Sequence, residues 1–324
     1  MMRVYQLPTI ERCSVAAIED RRQLGMIASG PALAAARQHG LALQPAWQSE
    51  PGGATELGFA ALAAACPAAI EVIYAVGGGL AVDAAKYVAH QRGLPLIAIP
   101  TALSVDAHLT WASGVRRDGC VVYLPTGAPS LVYADLELIA AAPAHVRAAG
   151  VCDLLSIATG LWDWRVAEEH EMNPASQRWL PWAERQAQAI LDATLDVAAA
   201  AGAGDSEGLW ALLSLLALEV QLCNQIGHSR PEEGSEHYLA YALEAHPAIG
   251  SGHAHGDLVG PAILAIAAAQ GQPTDRLRAS LADAGVPLDR VSMALIDSVS
   301  ATLPQYARTH QLPYGIAHWI GQER

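Results

Sequence analysis

The segment Val72-Ile-Tyr-Ala-Val76 runs directly into Gly77-Gly78-Gly79, and Leu80–Gln91 continues with helical spacing. A β-rich apolar run, a glycine turn and a helix start make one βα unit of a parallel sheet. The flanking sequence repeats the rhythm. Leu24–Ser29 and Leu96–Ile99 read as buried strands, Leu41–Trp47 as a further strand, and Pro31–Gln38 and Ala54–Ala65 as helices. Val121–Leu124 and Ser130–Ala134 add strand-like pieces. Past Pro143 the pattern changes to long helical periodicity, with helices expected at 144–169, 174–201, 206–227, 235–245, 255–270, 274–284, 288–299 and 313–320. Glycine- or proline-containing breaks fall at 202–205, 247–252, 271–273 and 285–287. The expected fold is an α/β N-terminal domain over 1–143 and an all-α C-terminal domain over 144–324.

Composition narrows the function. The 324 residues are 52% hydrophobic and 16% charged, enough apolar surface for a sizeable core. The net charge of −13 argues against nucleic acid or an anionic membrane as partner. Lys86 is the only lysine, so an anionic substrate would have to meet Arg, His, backbone N–H groups or a metal. Cysteines at 13, 66, 120, 152 and 223 form no paired spacing, which fits a reducing cytoplasm. The start, Met1-Met-Arg-Val-Tyr, has no apolar signal core, and the apolar runs Leu209–Leu218 and Leu258–Ala269 are too short to span a bilayer.

Two polar clusters follow strands. Backbone N–H groups at Gly77, Gly78 and Gly79, with the start of the next helix, suit an anion such as a pyrophosphate. A tight turn with close helix–strand packing explains the same glycines equally well. The pattern is not GxGxxG. Asp83 reads either as part of this site or as a solvated helix residue. After the next strand come Thr101, Ser104, Asp106 and Thr110, hydroxyls and a carboxylate where α/β folds bind ligands; ordinary helix capping is the alternative. Farther along, Asp153, His237 and His255 each open an apolar helix. One carboxylate and two imidazoles suit a catalytic divalent metal with a coordination position left for water or substrate. Satisfied polar residues at helix starts are the competing reading, and His253 competes with His255 as a ligand.

Together Gly77-Gly-Gly-Leu-Ala-Val-Asp83-Ala-Ala-Lys86, Pro100-Thr-Ala-Leu-Ser-Val-Asp106, Ala148-Ala-Gly-Val-Cys-Asp153, Asp163-Trp164-Arg-Val-Ala167, Ser229-Arg-Pro-Glu-Glu-Gly-Ser-Glu-His237 and His255-Gly-Asp-Leu-Val-Gly260 resemble the glycerol-1-phosphate dehydrogenase branch of the iron-containing alcohol dehydrogenase and dehydroquinate synthase superfamily. The resemblance covers about 70 to 260, and it implies a dehydroquinate synthase-like fold in which the α/β N-terminal domain is nucleotide-binding and the all-α C-terminal domain metal-binding. It implies NAD or NADP bound by Gly79 to Asp83, Thr101, Ser104 and Thr110, and one divalent metal, zinc with nickel or iron as alternatives, on Asp153, His237 and His255. It also implies Asp106 and Asp153 as catalytic and substrate-contacting carboxylates. The implied reaction interconverts a small polar ketone and its secondary alcohol, with dihydroxyacetone phosphate and sn-glycerol 1-phosphate as the leading pair. A sugar-phosphate cyclase and an inactive metal- and nucleotide-binding relative are the alternatives. A soluble cytoplasmic protein, with self-association open, is expected.

The chain departs from the family pattern at Tyr241, where a second substrate-contacting histidine is usual. One helical turn keeps Tyr241 on the face of His237. The stretch Gln311-Leu-Pro-Tyr314-Gly also lacks an expected arginine. Both changes weaken the case for a phosphate on the substrate. No acidic residue for the adenosine ribose is placed by the sequence.

Overall fold

The computed structural model describes residues 4–249 and 253–321. Its strands are β1 Thr9–Arg12, β2 Leu24–Ala28, β3 Trp47–Ser49, β4 Val72–Gly77, β5 Leu96–Pro100, β6 Ala112–Arg117, β7 Cys120–Pro125 and β8 Leu131–Ala134. Helices α1 Gly30–Gln38, α2 Glu56–Ala65 and α3 Gly79–Arg92 lie between the early strands. After β8 the regular elements are helices: α4 Leu136–Ala140, α5 Ala144–Arg147, α6 Val151–Leu155, α7 Ile157–Glu169, α8 Pro181–Ala203, α9 Ser206–Ile226, α10 Ser235–Glu244, α11 His255–Ala269, α12 Asp275–Asp283 and α13 Met293–Thr309.

Six strands form a parallel sheet in the order β1-β8-β5-β4-β2-β3. β2, β4 and β5 are buried along their whole length, as expected of continuous apolar runs covered on both faces. The chain steps outward from β2 to β3 and then returns to β4 on the other side. The crevice beyond the ends of β2 and β4 is therefore a topological switch point, where such sheets hold ligands. β6 and β7 make a separate antiparallel hairpin closed by Asp118-Gly119, both at positive φ, the geometry of a tight two-residue turn.

Several elements differ from the sequence expectation. The strand expected at 41–47 is β3, from Trp47, because Pro45 cannot donate to a ladder. The polar, exposed edge strand β1 has no apolar alternation to announce it. The helix expected at 144–169 is three pieces, α5 to α7. That at 288–299 begins at Met293, where the Ser292 side chain caps the Leu295 N–H, and runs through Pro304. The one expected at 313–320 is a single 3₁₀ turn, Ile316–His318. Of the break at 247–252, residues 250–252 lie outside the described residues, as do Met1 to Arg3.

The largest core cluster fills the helical part and reaches into the sheet part through Leu103, Leu109 and Ala134. α9 is longer than its apolar run and by length and composition alone could cross a membrane. It packs along α8 instead, with Leu209, Leu212, Leu213 and Leu216 buried. All five cysteines are free.

Candidate functional site

A cavity of about 1440 Å³ lies between the sheet and the helices. Its sheet wall is the glycine turn. Gly77 ends β4 at φ +144°, and a Cβ there would press on Ala81 and Ala32. Gly78 caps α3, and its missing Cβ leaves room for Ser104 Oγ at 3.1 Å; a Cβ on Gly79 would meet Val105 at 2.9 Å. The close packing of helix and strand is the reading that these distances bear on directly. The glycines permit close packing, and Gly78, Gly79, Asp83, Ser104 and Thr110 also line the cavity. Gly77 and Thr101 lie behind that lining, and Thr101 is buried.

The loop after β5 is knitted to the helical part. Leu103 N–H donates to Arg147 O, and Gly150 N–H donates to Leu103 O at 2.7 Å. A Cβ on Gly150 would meet Leu103 O at 3.0 Å, so glycine lets α6 approach this loop. Asp106 N–H then donates to Asp153 Oδ2 at 3.0 Å, which sets the two carboxylates side by side. Burial, and next the Asp153 charge, push the Asp106 carboxyl up to about 7.

Asp153, His237 and His255 come together, their ligand atoms within 4.8 Å of one another. His255 Nε2 stands 3.3 Å from Asp153 Oδ1, a buried oxygen with no hydrogen-bond donor. The two imidazole centroids are 5.4 Å apart. The donor set fits a divalent ion: an orphaned carboxylate oxygen faces two imidazoles, and a carboxylate behind one of them fixes its ring. That carboxylate is Glu236, whose Oε1 is 2.9 Å from His237 Nδ1, leaving Nε2 for a ligand. Burial alone would lower the His237 pKa, but Glu236, Glu233 and Asp153 outweigh it and hold it at about 9. His253 instead places Nε2 2.9 Å from Ile249 O, so His255 is the member of the cluster.

The triad is held by residues to which the sequence reading gave no role. Asp163, fully buried on α7, accepts from Ser235 N–H and Ile316 N–H, both at 2.8 Å. Thr159 donates to Glu236 Oε2 at 2.6 Å, and Gly234 N–H donates to Glu236 Oε1. The start of α10, and with it His237, is thus pinned to α7. Gly160 lets the two meet, since a Cβ would strike Pro231 O at 2.9 Å. Asp163 and Thr159 lie four apart, on one helix face, a spacing that could have flagged them.

Lys86 is buried and engaged. Its ammonium pairs with Asp83 at 2.8 Å and donates to Ala107 O, Thr110 Oγ1 and Ala112 O. Thr110 lines the cavity with its hydroxyl held by that lysine. Tyr241 also lines it, next to His237, but its hydroxyl donates to Glu233 at 2.8 Å and meets the Tyr123 hydroxyl at 3.0 Å. Glu50 is new. It follows β3 immediately, lines the cavity, and accepts from Gly30 N–H at 2.9 Å. An acidic residue at the end of the strand next to β2 was not visible while that strand was expected at 41–47.

Residues 28–143 match the family model for iron-containing alcohol dehydrogenases. A glycerol-1-phosphate dehydrogenase [NAD(P)+] of Bacillus licheniformis is 34% identical over 178 residues, 55% of this chain and 43% of the relative. One from Aeropyrum pernix is 30% identical over 229 residues, 70% of this chain and 63% of the relative. The chain thus spans less than half the length of the first curated relatives that it matches. Among solved structures, a probable glycerol dehydrogenase from Sinorhizobium meliloti superposes with TM-score 0.69 at 19% identity, covering 100% of this chain and 95% of that one. Sulfoacetaldehyde reductase from Bifidobacterium kashiwanohense, in complex with NAD+, gives 0.63 at 16% identity with both chains fully covered. The fold, a parallel α/β sheet with a helical C-terminal part, is the one shared by these enzymes and by dehydroquinate synthase. Family match, relatives and fold together make this chain similar to the iron-containing alcohol dehydrogenases, with glycerol-1-phosphate dehydrogenases among the relatives that it matches.

Proposed function

We propose that the chain is a metal-dependent, NAD(P)-linked oxidoreductase that interconverts a small polar ketone and its secondary alcohol. The observation that carries this is the opening of the Asp153–His237–His255 cluster and the glycine turn into one cavity. When bound, a divalent ion supplies Lewis acidity and a reduced nicotinamide supplies hydride, so a ketone, NAD(P)H and a proton become an alcohol and NAD(P)+.

The chain's own residues do the rest. Asp153, His237 and His255 hold the ion; Glu236 orients His237. Gly78, Gly79 and the α3 N-terminus receive the pyrophosphate, with Ser104 beside them. Asp106, next to Asp153, exchanges the proton with the substrate oxygen. Glu50 accepts from the ribose 2′-hydroxyl and repels a 2′-phosphate, which favours NAD over NADP. A sugar-phosphate cyclase would need several cations around its substrate. Arg116 is the one Lys or Arg among the described lining residues, and it is paired with Glu244 at 3.0 Å.

The test is NADH and NADPH oxidation by zinc-loaded protein with a ketone panel that includes dihydroxyacetone phosphate, against chelator-stripped protein. Metal-dependent turnover with NADH preferred is expected, and Glu50→Gln should narrow that preference by about tenfold. No turnover on any ketone would refute the proposal.

A further inference from the structure

The helical wall of the cavity carries more negative charge than the triad uses. Glu219 and Cys223, one turn apart on α9, and Glu232, in the loop before α10, bring their ligand atoms within 4.8 Å of one another. Glu219 is 2% exposed. Glu219 lines the cavity; the Cys223 thiol donates to its Oε1 at 3.0 Å, while Oε2 is buried and has no donor. Asn224, also buried in this wall, carries a second unpartnered polar atom, Nδ2.

Glu233 beside them is satisfied by Ser229 and Tyr241. The nearby cations are committed elsewhere, Lys86 to Asp83 and Arg116 to Glu244. Burial first, and then the Asp106 charge for Glu219 and the Glu219 and Asp106 charges for Glu232, push both carboxyls well above the usual range. A buried carboxylate oxygen without a donor is costly, and a ligand that donates to it recovers that cost on binding.

We infer that Glu219 and Glu232 form a subsite for a protonated amine carried by the substrate, so that the reacting ketone or alcohol is an amino ketone or amino alcohol and not a phosphorylated one. An organic ammonium offers three N–H donors. Glu219 Oε2 and the Glu232 carboxylate take two, with Asp106 or water for the third. A phosphate in the same place would meet carboxylates. The inference rests on the oxidoreductase reading and assigns the substituent that reading leaves open.

The test uses two readouts on zinc-loaded protein. The first is NADH-dependent reduction of aminoacetone, hydroxyacetone and dihydroxyacetone phosphate at pH 7. The second is calorimetric binding of serinol against glycerol, which requires no turnover. Aminoacetone should exceed hydroxyacetone in kcat/KM by about tenfold or more, mainly through KM, and serinol should bind with a similar margin over glycerol. Glu219→Gln and Glu232→Gln should each collapse both margins, and Glu219→Asp should restore part of them.

Equal turnover of the amino and hydroxy ketones, or preference for the phosphorylated one, would overturn the subsite and leave the oxidoreductase reading standing. Absence of all turnover with serinol still preferred would sink that reading and keep the subsite. A second equivalent of zinc in the wild type that is lost in Glu219→Gln would make the cluster a metal site and overturn the inference.

Discussion

The two walls of the cavity are built from different materials. The sheet wall offers backbone: Gly78, Gly79 and the N–H groups of α3, with Ser104 as a small neighbour. The helical wall offers side chains, the Asp153–His237–His255 cluster and the carboxylates of Glu219 and Glu232. A backbone site binds any ligand with the right anion and tolerates most changes around it, provided no Cβ intrudes. A side-chain site fixes the chemistry and the substituent, and one substitution removes it. The glycine wall therefore marks a broad class of cofactor, and the helical wall decides what is done with it.

The largest effect should come from breaking the helical wall alone. Asp153→Ala and His255→Ala should each lose the bound metal and about 10³-fold or more of kcat/KM, with NADH affinity changed by less than about threefold. Metal analysis and fluorescence titration check this; retained metal in both variants would refute the triad. Asp163→Ala strips acceptors from Ser235 and Ile316, and should lower stability by about 2–4 kcal/mol in urea unfolding. If stability is unchanged, α10 is held by something other than α7. On the opposite wall, Gly79→Val should weaken NADH binding by about tenfold or more with metal content intact, because even a Cβ meets Val105 at 2.9 Å.

Carboxylates sharpen the contrast further. Asp106, Glu219 and Glu232 in the cavity are raised, chiefly by burial and then by neighbouring carboxylates, while Asp20, on the sheet part, is lowered to about 2, chiefly by its hydrogen bond to Arg22 and with help from Tyr74. A depressed carboxyl stabilises the fold above its unfolded pKa of about 3.9, and that contribution is lost as pH falls through about 2. The gap in unfolding midpoint between wild type and Asp20→Asn should therefore be open at pH 5 and close toward pH 2. A gap independent of pH would mean that Asp20 acts through packing and not through charge.

The glycine turn and the triad were legible because each pairs a residue type of narrow use with a helix start. The residues that hold them were less so. Asp163, Thr159 and Glu236 act across 70 or more positions of chain, and the local sign of it is slight, the four-residue spacing of Thr159 and Asp163 on one face of α7. Glu50 was hidden by a strand placed too early, since Leu41-Ala-Leu43 supplies apolar residues that pack as a loop beside α1. The acidic subsite was hidden for a different reason. Glu219 sits in the middle of an apolar helix, where its charge reads as an exception to the pattern until the cavity beside it is seen.

The buried ammonium of Lys86 has a practical consequence for anyone handling the protein. It is the only lysine of the chain and is 1% exposed. Amine-directed labels and immobilisation supports therefore find no reactive lysine on the folded surface. The same reagents should modify Lys86 only as the fold opens, which turns a single residue at the seam between α3 and the β6–β7 hairpin into a chemical clock for unfolding.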